Sequence, residues 1–357
     1  MILLQKSLVD GLDPNHPSLC AVKQALQHAV ELEHATIPIY LYGLYSLIPG
    51  KNDAIAAIIN SVVVEEMLHM TLACNVLNAI GGAPVIDKPD FIPKFPGHLP
   101  GGVQSGLTVH LRPFSKRQLE TYLEIEEPTD KLNFKTTESL AEQISIGTFY
   151  DRIIETMAAL DQQSPPGVAW NGGRQVDGSL MYGAIAVASF ADAKQALLTI
   201  IEQGEGTTKS PAEVDGDDYA HYYRFQQIQK GYMLRKVPNP PTTNPDDGWK
   251  FDGPAIPFDP SGVYLVPDDP AQVGYTGQAK FENDNFNYTY TSLLKSLHAM
   301  FNGETTGQEF NRAIGLMMSL KGQARAMMAG IPNPTPTSVN FVGPSFEYFP
   351  ENPGPSG

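Results

Sequence analysis

The sequence lacks the features that mark several protein classes. Two cysteines cannot build a disulfide framework, so a reducing, cytoplasmic setting is the expectation. No apolar run reaches the roughly 18 residues that span a bilayer, so no membrane helix is expected. The first residues, Met1 to Lys6, have neither the charged start nor the cleavage site of a secretory signal.

Basic residues are scarce as well. The chain of 357 residues has 24 Lys and Arg against 39 Asp and Glu, a formal net charge of −15. Nucleic acid and anionic membranes are bound by clustered Lys and Arg, so neither is expected as a partner. A small-molecule substrate is the expected partner, and a homo-oligomer is left open.

The central pattern is the stretch 52–81, which predicts one long helix. Its apolar or buriable positions recur at steps of three and four, the spacing of one helix face. These positions are Ile55, Ile59, Val62, Glu66, His69, Ala73, Val76 and Ile80. Glu66 and His69 carry metal-ligand side chains, and at i and i+3 both can reach one ion.

A buried Glu66 needs a partner, because an unpaired carboxylate in an apolar core is costly. A metal ion would supply that partner. The alternative is that Glu66 pairs with a buried arginine and that His69 is an ordinary core histidine. For so short a motif, taken alone, this alternative is the simpler interpretation.

A second predicted helix, over 17–47, favours the metal. Its apolar row again contains a carboxylate, Glu33, whereas Glu31 and His34 fall on a polar face. The short turn 49–52 requires the two helices to pack antiparallel. Each helix then offers an inward carboxylate near its middle, which is half of a carboxylate metal site.

The rest of the chain predicts further helices separated by Pro- and Gly-rich segments. We expect a crossover over 84–113, a short helix from Ser115, a surface insertion over 238–285 and an extended Pro-rich tail over 333–357. The predicted long helices are 136–162, 184–204, a segment from 217 to about 234, 285–301 and 306–328.

The predicted helix 184–204 ends with two carboxylates, Glu202 and Glu205, on one face. The helix dipole disfavours negative charge at this end, so a bound cation would compensate. His221 follows a short distance along the chain and becomes a candidate ligand by that proximity.

Five motifs together resemble the ferritin-like domain of the iminophenyl-pyruvate dimer synthase family. They are Glu33-His34-Ala-Thr-Ile-Pro-Ile-Tyr40, Glu65-Glu66-Met-Leu-His69, Ser145-Ile-Gly-Thr-Phe-Tyr150, Glu202-Gln-Gly-Glu-Gly206 and His221-Tyr-Tyr-Arg-Phe225. The resemblance implies a mainly α fold over 12–332: a ferritin-like four-helix bundle with a long crossover, insertions and additional C-terminal helices.

The same resemblance implies a metal site inside the bundle. Its implied ligands are Glu33, Glu66, His69, Glu202, Glu205 and His221, with iron, mono- or dinuclear, or another divalent metal bound. Glu66 would bridge if two ions bind. The third-helix motif has Thr148 where the family often has Glu, which leaves the number of ions open unless Asp151 or Glu142 substitutes.

The function that follows is a non-haem, metal-dependent oxidoreductase of natural-product biosynthesis. Its substrate would be a small, aromatic or imine-bearing amino-acid derivative, with Tyr40, Tyr150 and Tyr222 as candidate pocket residues. For each tyrosine singly, packing at a helix junction is the simpler interpretation. One alternative function is metal binding without catalysis. Another is a protein-interaction role for a bundle that has lost activity, which the departure at Thr148 favours.

Overall fold

The computed structural model describes residues 3–5, 9, 11–100, 107–128, 143–205, 219–238, 248–304, 307–334 and 339–351. The described chain is mainly helical, as predicted. Its α-helices are α1 (Leu19–Ser46), α2 (Asp53–Ala79), α3 (Lys116–Ile125), α4 (Ile146–Asp161), α5 (Phe190–Glu205), α6 (His221–Lys230), α7 (Gly277–Phe301) and α8 (Gly307–Gly330).

The described residues also form two small antiparallel sheets. Strand β1 (Leu3–Gln5) pairs with β2 (Gln143–Ser145), and β3 (Tyr232–Lys236) pairs with β4 (Trp249–Ala255). The predicted helix over 136–162 therefore begins later, at Ile146. Residues 143–145, expected in this helix, form strand β2 instead, because pairing with the N-terminal strand overrides the local helical pattern. Residues 136–142 lie outside the described residues.

The helices α1 and α2 form the antiparallel hairpin that the short turn predicts. Ser18 caps α1, its hydroxyl accepting from the Ala21 amide at 3.3 Å. The turn between the helices places Gly50 at φ +81°, a left-handed conformation that glycine adopts without strain. The side-chain amide of Asn52 donates to the carbonyls of Asp259 and Gly262 at 3.0 and 3.2 Å, which fixes the turn to the later insertion.

Four helices close into a bundle. α1 contacts α2 and α4, α2 contacts α5, and α4 contacts α5, so each helix has two neighbours in the ring. α3, on the crossover between α2 and α4, packs against α6, and α6 contacts α2 and α5. The predicted four-helix bundle with a long crossover is confirmed.

The two additional C-terminal helices are confirmed too, and they form a second layer. α7 and α8 pack on each other, α7 contacts α2, and α8 contacts α1. This layer explains one wrong prediction: His34, expected on a polar face, is 3% exposed because α7 covers it. The predicted insertion over 238–285 also contains β4 and the first turns of α7.

The predicted helix from 217 is shorter than expected. α6 begins at His221 with Ala220 as its N-cap, whereas the expected capping residues, Asp217 and Asp218, lie outside the described residues. It ends at Lys230 because Gly231 adopts φ +75° and terminates it in the left-handed conformation. The following residues form β3.

Among the residues that the structure describes, one helix, α2, is long and apolar enough by length and composition to cross a membrane. In the fold, 56% of its apolar window is buried against other parts of the chain. Cys20 on α1 and Cys74 on α2 are both free thiols.

Candidate metal centre

Two buried clusters of carboxylates and histidines lie side by side in the bundle. Glu33, Glu66 and His69 form one, and Glu66, Glu126 and His221 form the other. Within each cluster the potential ligand atoms all lie within 4.8 Å of one another. Glu66 belongs to both, which is the position of a bridging carboxylate.

The first cluster is built by the α1–α2 hairpin alone. Glu33 comes from α1, and Glu66 and His69 come from successive turns of α2. Nδ1 of His69 lies 3.4 Å from a Glu33 oxygen. The hydroxyl of Thr36, one turn beyond Glu33, donates to Glu66 at 3.1 Å and orients that carboxylate.

The second cluster needs two further elements. Glu126 is the C-cap of α3, and His221 is the first residue of α6. Nδ1 of His221 lies 3.0 Å from a Glu66 oxygen and 3.5 Å from a Glu126 oxygen. Although these oxygens lie close, the buried Nδ1 has no hydrogen-bond partner within the described residues.

Both histidines are held in the same way, through the ring nitrogen that faces away from the carboxylates of the two clusters. Nε2 of His69 lies 3.0 Å from the Gln203 side-chain oxygen, and Nε2 of His221 lies 3.1 Å from a Glu65 oxygen. Glu65 is held by Arg224 at 2.8 Å. An outer partner on one nitrogen fixes the tautomer and directs the other nitrogen to a metal.

The carboxylates have outer partners as well. The Tyr150 hydroxyl of α4 donates to Glu33, and the Tyr40 hydroxyl of α1 donates to Glu126 at 2.5 Å. Burial, and then the adjacent carboxylates, raise the pKa of both tyrosines well above the usual value. Both phenols therefore stay protonated and act as donors.

The charges of the centre are unbalanced. Burial, together with the negative charge of Glu126, raises the pKa of Glu66 to about 7. Burial alone would lower the pKa of His221, but the negative charge of Glu126 and the hydrogen bond to Glu65 raise it well above its usual value. A cation would offset the repulsion between these crowded, buried carboxylates.

Glu65 differs from the other carboxylates. Burial opposes its ionisation, but the hydrogen bond from His221 and the charge of Arg224 prevail and lower the pKa of Glu65 to about 2. Glu65 is thus a charged, paired outer residue, and Arg224 neutralises it without neutralising Glu66.

A small cavity of about 40 Å³ adjoins the clusters, lined by Glu33, Glu66, His69 and Glu126 among others. One water needs about 10–15 Å³, so the space holds an ion and a small ligand. Oxygen and imidazole donors suit iron, manganese or zinc. The donor set, the unsatisfied His221 nitrogen and the carboxylate crowding therefore fit a divalent cation.

The structure brings together four of the six predicted ligands: Glu33, Glu66, His69 and His221. Glu202 on α5 is half-buried and belongs to neither cluster, while Ile201 and Gly204 of the same turn line the cavity. Glu205 ends α5, and its side chain lies outside the described residues. Their part in metal binding stays a prediction.

Glu126 is the residue that the sequence pattern missed. The signal that could have found it is a carboxylate at the C-terminal end of the amphipathic helix α3, where the dipole disfavours it. In the third-helix motif Thr148 is exposed, and Tyr150 contacts Glu33 instead. Of the suggested substitutes, Asp151 is exposed and Glu142 lies outside the described residues.

The three candidate substrate tyrosines are all buried. Tyr40 and Tyr150 donate to site carboxylates, and the Tyr222 hydroxyl accepts from Gln226 at 3.0 Å. A part for them in substrate binding stays a prediction.

Comparisons with known proteins agree on the fold. A family model described as ferritin-like matches residues 26–230, more than half of the chain. The structure is similar to the crystal structure of a ferritin-like protein from Caulobacter vibrioides, with a TM-score of 0.57 and 22% sequence identity. That likeness covers 87% of this chain and 94% of the other, and at this identity it shows the fold alone. No curated protein matches the sequence, and the narrower resemblance to iminophenyl-pyruvate dimer synthases stays a prediction.

Proposed function

The chain belongs to the ferritin-like family, and from that premise we propose that it is a non-haem, metal-dependent oxidoreductase. The observation that carries the proposal is the pair of buried Glu/His clusters that share Glu66. Each cluster would hold one ion, with Glu66 bridging them. Bound iron would supply one-electron redox chemistry towards O₂ or peroxide.

The protein's own residues would orient the ligands and protect the site. Gln203 and Glu65 direct the two histidines, and Thr36, Tyr40 and Tyr150 direct the three carboxylates. Such outer hydrogen bonds reduce the reorganisation that a change in metal charge would require. The burial of every ligand excludes bulk water from the centre.

The proposed substrate is a small, aromatic or imine-bearing amino-acid derivative of natural-product biosynthesis. The support for this class is the likeness of the five sequence motifs. The cavity of about 40 Å³ admits water or O₂ beside the carboxylates. An aromatic ring would have to displace side chains of the lining, so substrate binding on this proposal requires an opening movement.

The test begins with metal analysis of the purified protein, followed by oxygen uptake with a reductant present. We expect bound iron in the wild type and its loss in Glu66→Ala. Glu155→Ala, which removes an exposed glutamate of α4, should keep the metal. Full metal content in Glu66→Ala would refute the shared site.

A second outcome separates catalysis from the alternative of a non-catalytic metal site. A catalytic centre keeps a vacant coordination position, whereas a structural centre is filled by protein ligands. If the wild type binds metal but consumes no oxygen and binds no azide or nitric oxide spectroscopically, the oxidoreductase proposal fails and the non-catalytic alternative holds.

A further inference from the structure

A second and much larger cavity, of about 480 Å³, lies between α1 and α2 on one side and α7 and α8 on the other. It uses different faces of the hairpin from the metal centre. His34 and Ile37 line it, whereas Glu33 and Thr36 line the small cavity. Its volume falls among small-molecule pockets, which span about 300–1,000 Å³.

The walls of this cavity are almost wholly apolar. Among the described lining residues Lys321 is the only one that carries a charge, and no aspartate or glutamate lines the cavity. The chain as a whole has a net charge of −15, so a cavity lining without aspartate or glutamate differs from the composition of the rest of the protein. Lys321, half-buried on α8, forms no ion pair within the part of the chain that the structure describes.

The mouth of the cavity exposes apolar side chains. Val64, Tyr182, Ile314 and Met318 are 47%, 99%, 38% and 65% exposed, and all four belong to the lining. Exposed apolar side chains that lie together mark a binding surface more often than exposed apolar side chains scattered singly do. Several methionines line the walls, and their flexible side chains adapt to a ligand.

One buried polar group of the lining is also unsatisfied. Nε2 of His34 pairs with the Tyr290 hydroxyl at 2.7 Å, but Nδ1 has no hydrogen-bond partner among the described residues. The histidine is 3% exposed. A water molecule can satisfy this nitrogen, since a buried polar atom without a partner costs free energy.

We propose that this cavity binds an amphiphilic monocarboxylate, a fatty-acid-like chain. The methylene chain would lie between the two helix pairs, and the carboxylate would meet the Lys321 ammonium at the rim. One ammonium suits a single negative charge, while the apolar walls give the chain its affinity. The site is separate from the metal centre, so its test does not depend on the proposed function.

The chain-length dependence of binding gives the first test. Calorimetric titration of the full-length protein with octanoate, decanoate and dodecanoate, below their micelle concentrations, should show saturable binding. Each added methylene should raise the affinity about fourfold until the cavity is full. This ratio corresponds to about 0.8 kcal/mol per buried methylene. Binding should be the same with and without metal, and absence of saturable binding would overturn the proposal.

The headgroup is tested with Lys321→Gln. This variant should weaken dodecanoate binding by about two- to fivefold, as expected for a partly exposed ion pair, and leave dodecanol binding unchanged. Lys295→Gln, which removes an exposed lysine of α7 outside the cavity, is the matched control and should alter neither. Unchanged dodecanoate affinity in Lys321→Gln would overturn the assignment of the carboxylate.

The location is tested by obstruction of the mouth. Val64→Trp should weaken binding of every chain by at least about tenfold, since each excluded methylene forfeits its burial. Val85→Trp places the same residue at a valine of similar exposure, 41%, outside the cavity and should bind normally. Equal effects of the two variants would overturn the proposal. So would a dimer that light scattering detects in the wild type and that Val64→Trp dissociates, because a second copy of the chain would then occupy the mouth.

Discussion

The outer partners of the two histidines differ in charge, and this difference makes the two clusters unequal. His69 faces the neutral Gln203 amide, while His221 faces the ionised Glu65. An anionic outer partner raises the basicity of the ligand nitrogen more than an amide does. We therefore expect the half-site of Glu126 and His221 to bind a cation more tightly than the half-site of Glu33 and His69.

The first residue-scale prediction concerns Glu126. Glu126→Gln removes one carboxylate charge from the half-site it shares with Glu66 and should weaken metal binding at least about tenfold, the loss that even an outer partner causes. Glu124→Gln, on the exposed face of the same helix, is the control. Competition with a chromophoric chelator measures both. Equal affinities would show that Glu126 is not a ligand.

The second residue-scale prediction concerns Arg224. Its pair with Glu65 is nearly buried, with side-chain exposures of 3% and 17%. Arg224→Leu removes the arginine partner of Glu65, leaves it only the contact with His221, and should destabilise the metal-free protein by up to about 3–5 kcal/mol in urea unfolding. Arg152→Leu breaks an exposed pair with Glu155 and should cost about 0–1 kcal/mol. Similar losses in the two variants would contradict the structural role of Arg224.

At the scale of elements, the helices differ in what they contribute to the candidate metal centre: some supply candidate ligands and others supply hydrogen-bond partners. α1 and α2 supply two of the three carboxylates, Glu33 and Glu66, and one histidine. α4 and α5 supply hydrogen-bonding side chains, Tyr150 and Gln203. The remaining candidate ligands, Glu126 and His221, come from α3 and α6, which lie outside the bundle ring. Among the described residues no carboxylate of α4 belongs to either cluster, and Glu126 reaches the site from another element.

This division sets how much of the site the sequence could predict. Glu66 and His69 share one helix, and Glu33 lies on the helix joined to it by a short turn, so their meeting follows from local periodicity. Glu126 and His221 meet through the packing of two ten-residue helices, a long-range contact that no local pattern encodes. The burial of His34 likewise depends on Tyr290, 256 residues away.

The element-scale prediction concerns α4. Tyr150→Phe removes its hydrogen bond to Glu33 and should weaken metal binding about 10- to 100-fold, as loss of an outer partner does. Tyr122→Phe removes an equally buried hydroxyl, bonded to the Ile39 carbonyl at 3.1 Å, and should leave metal affinity unchanged. Isothermal titration with Fe(II) or Mn(II) compares them, and equal affinities would exclude a role for α4 in the centre.

At the scale of the whole molecule, the C-terminal segment joins the second layer. Residues 339–351 form no helix, but Val342 and Phe346 are buried, and Phe346 packs edge-on against Phe286 at 4.8 Å. Asn283 and Asn287 donate to the Ser345 hydroxyl at 2.9 and 2.8 Å. The segment thus helps to hold α7 over His34.

Phe346 also adopts φ +53°, the left-handed region that non-glycine residues avoid. Backbone strain there costs about 1–3 kcal/mol and persists only where packing enforces it. The packing comes from Phe286 and from Tyr290, whose ring centre lies 5.3 Å from that of Phe346. Two different substitutions of Phe346 can therefore separate the effect of losing its ring from the effect of relieving its backbone strain.

The whole-molecule prediction uses two substitutions at this position. Phe346→Ala removes the ring but keeps the strain and should lower the unfolding free energy by about 3–5 kcal/mol. Phe346→Gly removes the same contacts but relieves the left-handed conformation, so it should be about 1–2 kcal/mol more stable than the alanine variant. This order reverses the usual advantage of alanine over glycine. Urea unfolding of both variants measures it, and an alanine variant as stable as the glycine variant would show that the packing of Phe346 imposes no backbone strain.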